Sequence, residues 1–278
     1  MIRKTIRPPR IGRLPYLSTA PFHFDWPSDT SGFEVITAPP RQLAHLAGRG
    51  EIDAACFSLT EVFRLQRNFE PLGYFGLAAA EDGLPPGPLL LARVEETLLG
   101  QAPIGIPHEA AMAPALLSIL LRSVYNVDNP KQVPLTPDRR HLGGLVFIGD
   151  AAVAATKSPP RGFSHKRSLA HAWQQWTGLP LVFGRWMVRK SMPDDQKKRL
   201  EQLIGEALEK AANQIDQVAA VHLRMTSHDW DLDEACRVLQ QYVFELKDVH
   251  RRSVDRFRRE LRPRRQQAPA WLDDAAFH

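Results

Sequence analysis

The chain has 278 residues, is 44% hydrophobic and 24% charged, and carries a formal net charge of +5. That length and balance suit a globular protein with a sizeable core, arranged as one large domain or two small ones. They exclude a bilayer-spanning helix, because no apolar run is long enough, and the two distant cysteines, Cys56 and Cys236, give no support to a zinc site and read as reduced cytoplasmic thiols.

The opening "MIRKTIRPPRIG" is basic but lacks the apolar stretch of a cleaved leader. A short apolar run then stops at Pro15, and "PYLSTAP" leads from a first strand into a first helix. "FEVITA" reads as a strand, "PPRQLAHLAGRG" as a helix with Leu43 and Leu46 on one face, "EIDAACFS" as a strand and "LTEVFRLQ" as a helix. "GYFGLAAA" and "GPLLLARV" are apolar runs bounded by Gly and Pro. A second block begins near Glu95 with the strand "APIGIP" and the helix "EAAMAPALLSILLRSVY", where Pro114 fits only the first turn. "QVPLT" and "GGLVFIGD" follow as strands, then a helix ending at Gly178 and an apolar strand from Leu181 to Val188. This alternation of strands and helices predicts an α/β protein. "SMPDDQKKRLEQLIGEALEKAANQIDQVAAVHL" reads as one long helix capped by Ser191, and "DEACRVLQQYVFELKDVHRRSVDRFRREL" as one or two more before Pro263. The basic run "HRRSVDRFRRELRPRR" contains Asp255 and Glu260, a single aromatic, Phe257, and no nucleic-acid reading motif. It therefore reads as a solvated helix and not as a nucleic-acid surface.

Three stretches offer chemistry. In "PYLSTAP" the hydroxyls of Ser18 and Thr19, beside Tyr16, either cap a helix or complete an anion site with free backbone N–H groups. In "FIGDAAVAA" Gly149 permits a tight turn and Asp150 caps the next helix, at a strand end where ligands sit in open α/β sheets. In "WQQWTGLPLVFGRW" the residues Trp173, Trp176, Phe183 and Trp186 read as packing, while Arg185 either faces water or reaches a carboxylate. Arg13 and Arg41 are either solvated or in contact with an anion, and His108, after "GIP", reads as a loop surface residue or as a base. GxGxxG, P-loop, HExxH and GxSxG motifs do not occur.

In order and spacing, "PYLSTAPF", "RQLAHLAGRGEIDAACFSLTEVFR", "FIGDAAVAA" and "AWQQWTGLPLVFGRWMVRK" resemble the chorismate dehydratases of the futalosine route to menaquinone, over roughly the first 190 residues. The resemblance implies an α/β, two-lobed type II periplasmic-binding-protein-like fold with a central cleft and C-terminal helices, used in the cytoplasm. It places one lobe near 1–92 plus 189–262, the other near 93–188, and a flexible tail at 263–278. It implies a lyase that converts chorismate to 3-enolpyruvylbenzoate and water, with no metal or organic cofactor. The partner is a small anionic aromatic-pathway acid, with no nucleic acid and no membrane. The family's first loop usually carries an asparagine where this chain has Ser18, which becomes the implied catalytic residue. The implied substrate contacts are Tyr16, Thr19, His108, Ala110, Ala111, Met112, Ala113, Gly149, Asp150 and Arg185. Where the family usually has a Ser-x-Thr-Ser motif this chain has Ala110, Met112 and Ala113, and "GPLLLA" lacks a further family serine. The alternative is a repurposed, non-catalytic two-lobed binding protein for a different small carboxylic acid.

Overall fold

The computed structural model describes residues 7–26, 32–81, 83, 85, 87–128, 130–226 and 230–261; the expected tail at 263–278 lies outside them. The chain begins with β1 (Arg10–Arg13), a 3-10 helix (Leu17–His23), β2 (Glu34–Thr37), α1 (Pro40–Gly48), β3 (Ala54–Ser58), α2 (Leu59–Leu65) and β4 (Phe69–Ala79). Next come β5 (Leu89–Ala92), a second 3-10 helix (Glu96–Gln101), β6 (Ile104–Ile106), α3 (Ala113–Tyr125), β7 (Gln132–Pro134), β8 (Gly144–Phe147) and α4 (Gly149–Lys157). The remainder is β9 (His165–Ser168), α5 (Leu169–Thr177), β10 (Val182–Arg189), α6 (Asp194–Asn213), α7 (Ile215–Met225), α8 (Leu232–Leu239), β11 (Tyr242–Glu245) and α9 (Asp248–Leu261).

Two compact units result, one from residues 1–78 and 182–247, the other from 79–181 and 248–278. The boundaries differ from the expected ones. β5 and the segment before it fold with the second unit, because β5 is the central antiparallel partner of β8 and β9. β10 folds with the first unit, between β3 and β4. The chain also returns once more than expected, since α9 joins the second unit.

In the first unit a six-stranded sheet runs β11-β4-β10-β3-β1-β2. β1 is parallel to both β2 and β3. Gly12 sits where β1 meets α1: a Cβ there would lie 2.8 Å from the Ala55 Cβ and 2.9 Å from a Leu43 methyl. Only the missing side chain lets the helix come that close. One sheet face packs Ile11, Phe22, Trp186, Leu200 and Ile204, and the other packs Leu43, Phe57, Leu65 and Met187. Each such side chain, fully buried, contributes about 1.5–3 kcal/mol of hydrophobic stabilisation before entropy is counted. Trp173 and Trp186 are both fully buried, in agreement with their reading as packing residues.

The second unit holds a five-stranded sheet, β7-β6-β8-β5-β9, with β6 parallel to β7 and β8. Its core includes Leu89, Leu91, Leu142, Leu145 and Ala152. The basic run forms α9, whose inner face carries the buried Ser253 and Phe257. Trp173 Nε1 donates to Ser253 Oγ at 3.2 Å, and the Arg256 guanidinium lies 4.7 Å from the centre of the Trp176 ring. Arg251, Arg252, Arg258 and Arg259 are exposed, as a solvated helix requires.

Several local expectations are corrected. The long helix is broken at Gln214 into α6 and α7, and α6 starts at Asp194 after Pro193, so Ser191 is not its cap. "YVFE" is β11, which joins the sheet edge beside β4 instead of continuing a helix. "HKRS" is β9, an edge strand hidden in a basic segment.

Candidate functional site

Each sheet has a point where connections leave adjacent parallel strands in opposite directions, which is where open α/β sheets hold ligands. In the first unit β1 leads to β2 on one side, while β3 leads away to β4 on the other. The carboxyl ends of β1 and β3 therefore define a candidate site, and "PYLSTAP" forms the first of its two loops.

Tyr16 precedes the 3-10 helix in an extended conformation, φ −117° and ψ 144°. Its carbonyl accepts the Thr19 N–H at 3.0 Å and the Thr19 hydroxyl at 3.0 Å, while Leu14 O lies 3.2 Å from the same hydroxyl. A threonine hydroxyl has one proton, so the Thr19 proton is committed to its own loop. Ser18 differs. It is 9% exposed, and among the described residues its hydroxyl has no hydrogen-bond partner. A hydroxyl so enclosed and unpartnered is able to bond an incoming acid.

Behind Ser18 the same helix ends in His23, whose ring nitrogens are both buried and have no hydrogen-bond partner among the described residues. The ring stacks 4.7 Å from Trp26 and 5.6 Å from Trp186, centroid to centroid. Burial, reinforced by the Arg13 charge and opposed by the Thr19 carbonyl, holds the imidazole neutral, down to about 3. His23 thus packs as a neutral ring, half-buried as a residue but with both nitrogens enclosed.

The sequence reading missed the second loop of this site. Ser58 ends β3 and Thr60 opens α2, with their hydroxyl oxygens 3.4 Å apart. Ser58 occupies the N-cap position without capping through its side chain. "CFSLT" repeats the pattern of "PYLST", a hydroxyl pair where a strand gives way to a helix, and that repetition was the available signal. Arg13 closes β1 and Arg41 lies in the first turn of α1. Arg185 lies in β10 opposite Phe57, and its guanidinium donates to the Gly73 carbonyl at 3.3 Å, beside the irregular pairing of β10 with β4.

The second unit repeats the topology with other chemistry. β6 leads to β7 on one side and β8 leads through α4 to β9 on the other. The structure brings the loop after β6, which carries His108 to Ala113, beside the loop after β8, which carries Gly149 and Asp150. The Ala110 N–H donates to the Pro107 carbonyl at 3.0 Å, which turns the chain inward. Ala110, Met112 and Ala113 are accordingly buried, at 0%, 5% and 2% exposed. His108 is exposed and Ala111 is half-buried. Gly149, at φ +54°, occupies the left-handed conformation that glycine adopts without strain. Asp150 is buried in the first turn of α4, where a carboxylate is favoured by the helix dipole, but the N-cap is Ile148. Asp150 is therefore not the cap that the sequence suggested.

The buried Cys56 thiol is pushed up to about 12 by desolvation, with a smaller opposing contribution from the Leu77 backbone. That excludes it as a nucleophile at neutral pH. Among the described residues no three His, Cys, Asp or Glu side chains converge as a metal site would require, and no helix is long and apolar enough to cross a membrane.

Residues 9–262 match the profile of a family described as menaquinone biosynthesis. The chain belongs to that family. A chorismate dehydratase of Thermus thermophilus is 27% identical over 247 residues, covering 79% of this chain and 83% of that protein. A solved structure from Archaeoglobus fulgidus superposes with a TM-score of 0.70 at 15% identity, covering 90% of this chain and 95% of the other. The periplasmic aliphatic sulphonate binding protein SsuA of Escherichia coli gives 0.60 at 13% identity, covering 92% and 88%. The family member described here thus has the α/β, two-lobed periplasmic-binding-protein-like fold.

Proposed function

We propose that this member of the menaquinone biosynthesis family is a chorismate dehydratase-like lyase that acts in the cytoplasm on a small anionic aromatic-pathway acid. The reaction is loss of water from chorismate to give 3-enolpyruvylbenzoate. A ring C–H and the neighbouring ring C–OH bond break, the proton and hydroxide leave as water, and the C–H electron pair completes the aromatic ring. Aromatisation supplies the driving force, so the protein's task is to orient the acid and keep bulk water away. The observation that carries the reading is the Ser18 hydroxyl, enclosed and without a partner among the described residues, at the carboxyl end of β1, in a chain similar to a chorismate dehydratase.

In this reading Ser18 hydrogen-bonds the reacting acid, and Tyr16 and Thr19 shape the loop that presents it. Ser58 and Thr60 add hydroxyls from the next loop. On the second unit His108, Ala110, Ala111, Met112, Ala113, Gly149 and Asp150 remain the candidate substrate contacts, and Arg185 is the remaining candidate on the first. No metal or organic cofactor is required. The test is incubation of purified protein with chorismate, followed by chromatography for 3-enolpyruvylbenzoate. Formation above the uncatalysed background supports the lyase, and background formation alone overturns it.

A second reading has its own observation. Ala110, Met112 and Ala113 offer no side-chain hydrogen bond at the strand ends of the second unit, where the resembled family usually has hydroxyls. Each missing bond to a charged group is worth about 1.5–3 kcal/mol. That favours a ligand with fewer charges or a larger apolar face, bound without turnover. A calorimetric screen of aromatic carboxylic acids separates the two. Tighter binding of a monocarboxylate than of chorismate supports the second reading, and salt-independent binding of neutral compounds counts against both.

A further inference from the structure

Arg13 is the last residue of β1, and side chains two apart on a strand share a face. Ile11 packs with Phe22 and Trp186 on the face covered by the Leu17–His23 helix, so Arg13 stands on that face at the strand's carboxyl end. Register sets Thr37, the last residue of β2, directly opposite. Arg13 Nε donates to Thr37 Oγ1 at 3.0 Å. This bond fixes the plane of the guanidinium and leaves its two terminal nitrogens without a partner among the described residues. The charge of Arg13 is felt at the half-buried His23, so the guanidinium neighbours the helix that carries Ser18.

The contrast with other arginines of the unit is informative. Arg10, on the same strand, is paired with Glu34 at 2.7 Å. Arg64 is paired with Glu61 at 2.6 Å and Arg189 with Asp53 at 3.3 Å. Arg13 has no carboxylate partner among the described residues, and its Nε is turned to the Thr37 hydroxyl. A guanidinium fork whose two terminal nitrogens remain available matches a carboxylate, which accepts two parallel bonds.

We propose that Arg13, aligned by Thr37, is the anchor for a substrate carboxylate and supplies the charge-assisted contact that Ser18 and the hydroxyl-free 110–113 segment do not. This rests on the reading of the carboxyl ends of β1 and β3 as an acid-binding site, and it names the residue that sets ligand charge there.

The test is calorimetric titration of chorismate and, separately, 3-enolpyruvylbenzoate into the wild type and the Arg13→Gln, Arg13→Lys and Thr37→Val variants. Thermal unfolding of each variant reports that the fold is intact. Arg13→Gln lowers affinity for both acids at least tenfold and flattens the salt dependence. Arg13→Lys restores the salt dependence but only part of the affinity, because an ammonium lacks the fork. Thr37→Val costs a fewfold, through loss of alignment. Arg13→Gln binding both acids within twofold of wild type, with unchanged salt dependence, overturns the proposal. A wild type that binds the acids without turning chorismate over overturns the lyase reading alone and still reports on Arg13. A wild type that binds neither acid overturns both.

Discussion

The carboxyl ends of β1 and β3 in the first unit and of β6 and β8 in the second share one topology and carry opposite chemistry. The first set offers Arg13, Ser18, Ser58 and Thr60. The second offers Ala110, Ala111, Met112 and Ala113, with Gly149 in a left-handed turn. The sheet places loops at a switch point, and the loop residues then decide whether the place can hold a charged group. Under the proposed function, the first unit's strand ends are the ones with side-chain hydroxyls and a guanidinium to offer an acid, whereas residues 110–113 of the second offer no side-chain hydrogen bond.

The largest expected effect comes from the first unit. Ser18→Ala lowers kcat/KM for chorismate by about a hundredfold, the usual scale for removing one hydrogen-bond donor from a reacting centre. Ala111→Gly, at the matching place in the second unit, changes it less than about threefold, because no hydrogen bond is lost. Steady-state kinetics on both variants checks the contrast, and equal losses would break it.

Next in size is acid sensitivity, which the comparison assigns to the first unit through His23. Its folded-state value lies near 3, below the ordinary 6.5. The unfolded chain therefore takes up the proton first, and stability is lost as pH falls from about 6.5 towards 3, by at most about 1.4 kcal/mol per pH unit. Urea unfolding at pH 7, 5.5 and 4 measures it. His23→Phe keeps the ring in its aromatic surroundings and removes the titrating nitrogens, so its midpoint falls less between pH 7 and 4 than that of the wild type.

Adding hydroxyls to the second unit sharpens the comparison from the other side. Met112→Thr with Ala113→Ser raises chorismate affinity about tenfold, the equivalent of one charge-assisted bond. Calorimetry decides it, and unchanged affinity would show that this segment does not touch the acid.

The smallest effect separates the two hydroxyls of the first loop. Thr19→Val removes the bond to the Leu14 and Tyr16 carbonyls and lowers stability by about 1 kcal/mol. Ser18→Ala removes no bond within the described structure and leaves the unfolding midpoint unchanged. Denaturant titration of the two variants reads this directly.

The strand and helix alternation of residues 10–189 was legible because each element carries its own period of apolar residues. Pro15, Pro114 and Gly178 punctuate it, and the structure follows those marks closely. β11 and β9 were not legible. "YVFE" borders a helical pattern, and "HKRS" is short and basic. Each is an edge strand defined by the neighbour it pairs with and not by its own hydrophobicity. The unit boundaries failed for the same reason, since β5 and α9 take their places from partners distant in sequence, Phe147 and Trp173 among them.

The sequence by itself determined the family, the α/β class, the hydroxyl pair at Ser18 and Thr19 and the absence of side-chain hydroxyls at 110–113, because residue type and order are local facts. Only the tertiary structure decided which hydroxyl is available. Ser18 and Thr19 are adjacent in the chain and alike in chemistry, but the turn of the 3-10 helix closes Thr19 onto the Leu14 and Tyr16 carbonyls and leaves Ser18 without a partner among the described residues. It also brought Ser58 and Thr60 to the same sheet end and set Thr37 against Arg13. Strand order and register are set by pairing between segments far apart in the chain, and no local pattern encodes that pairing.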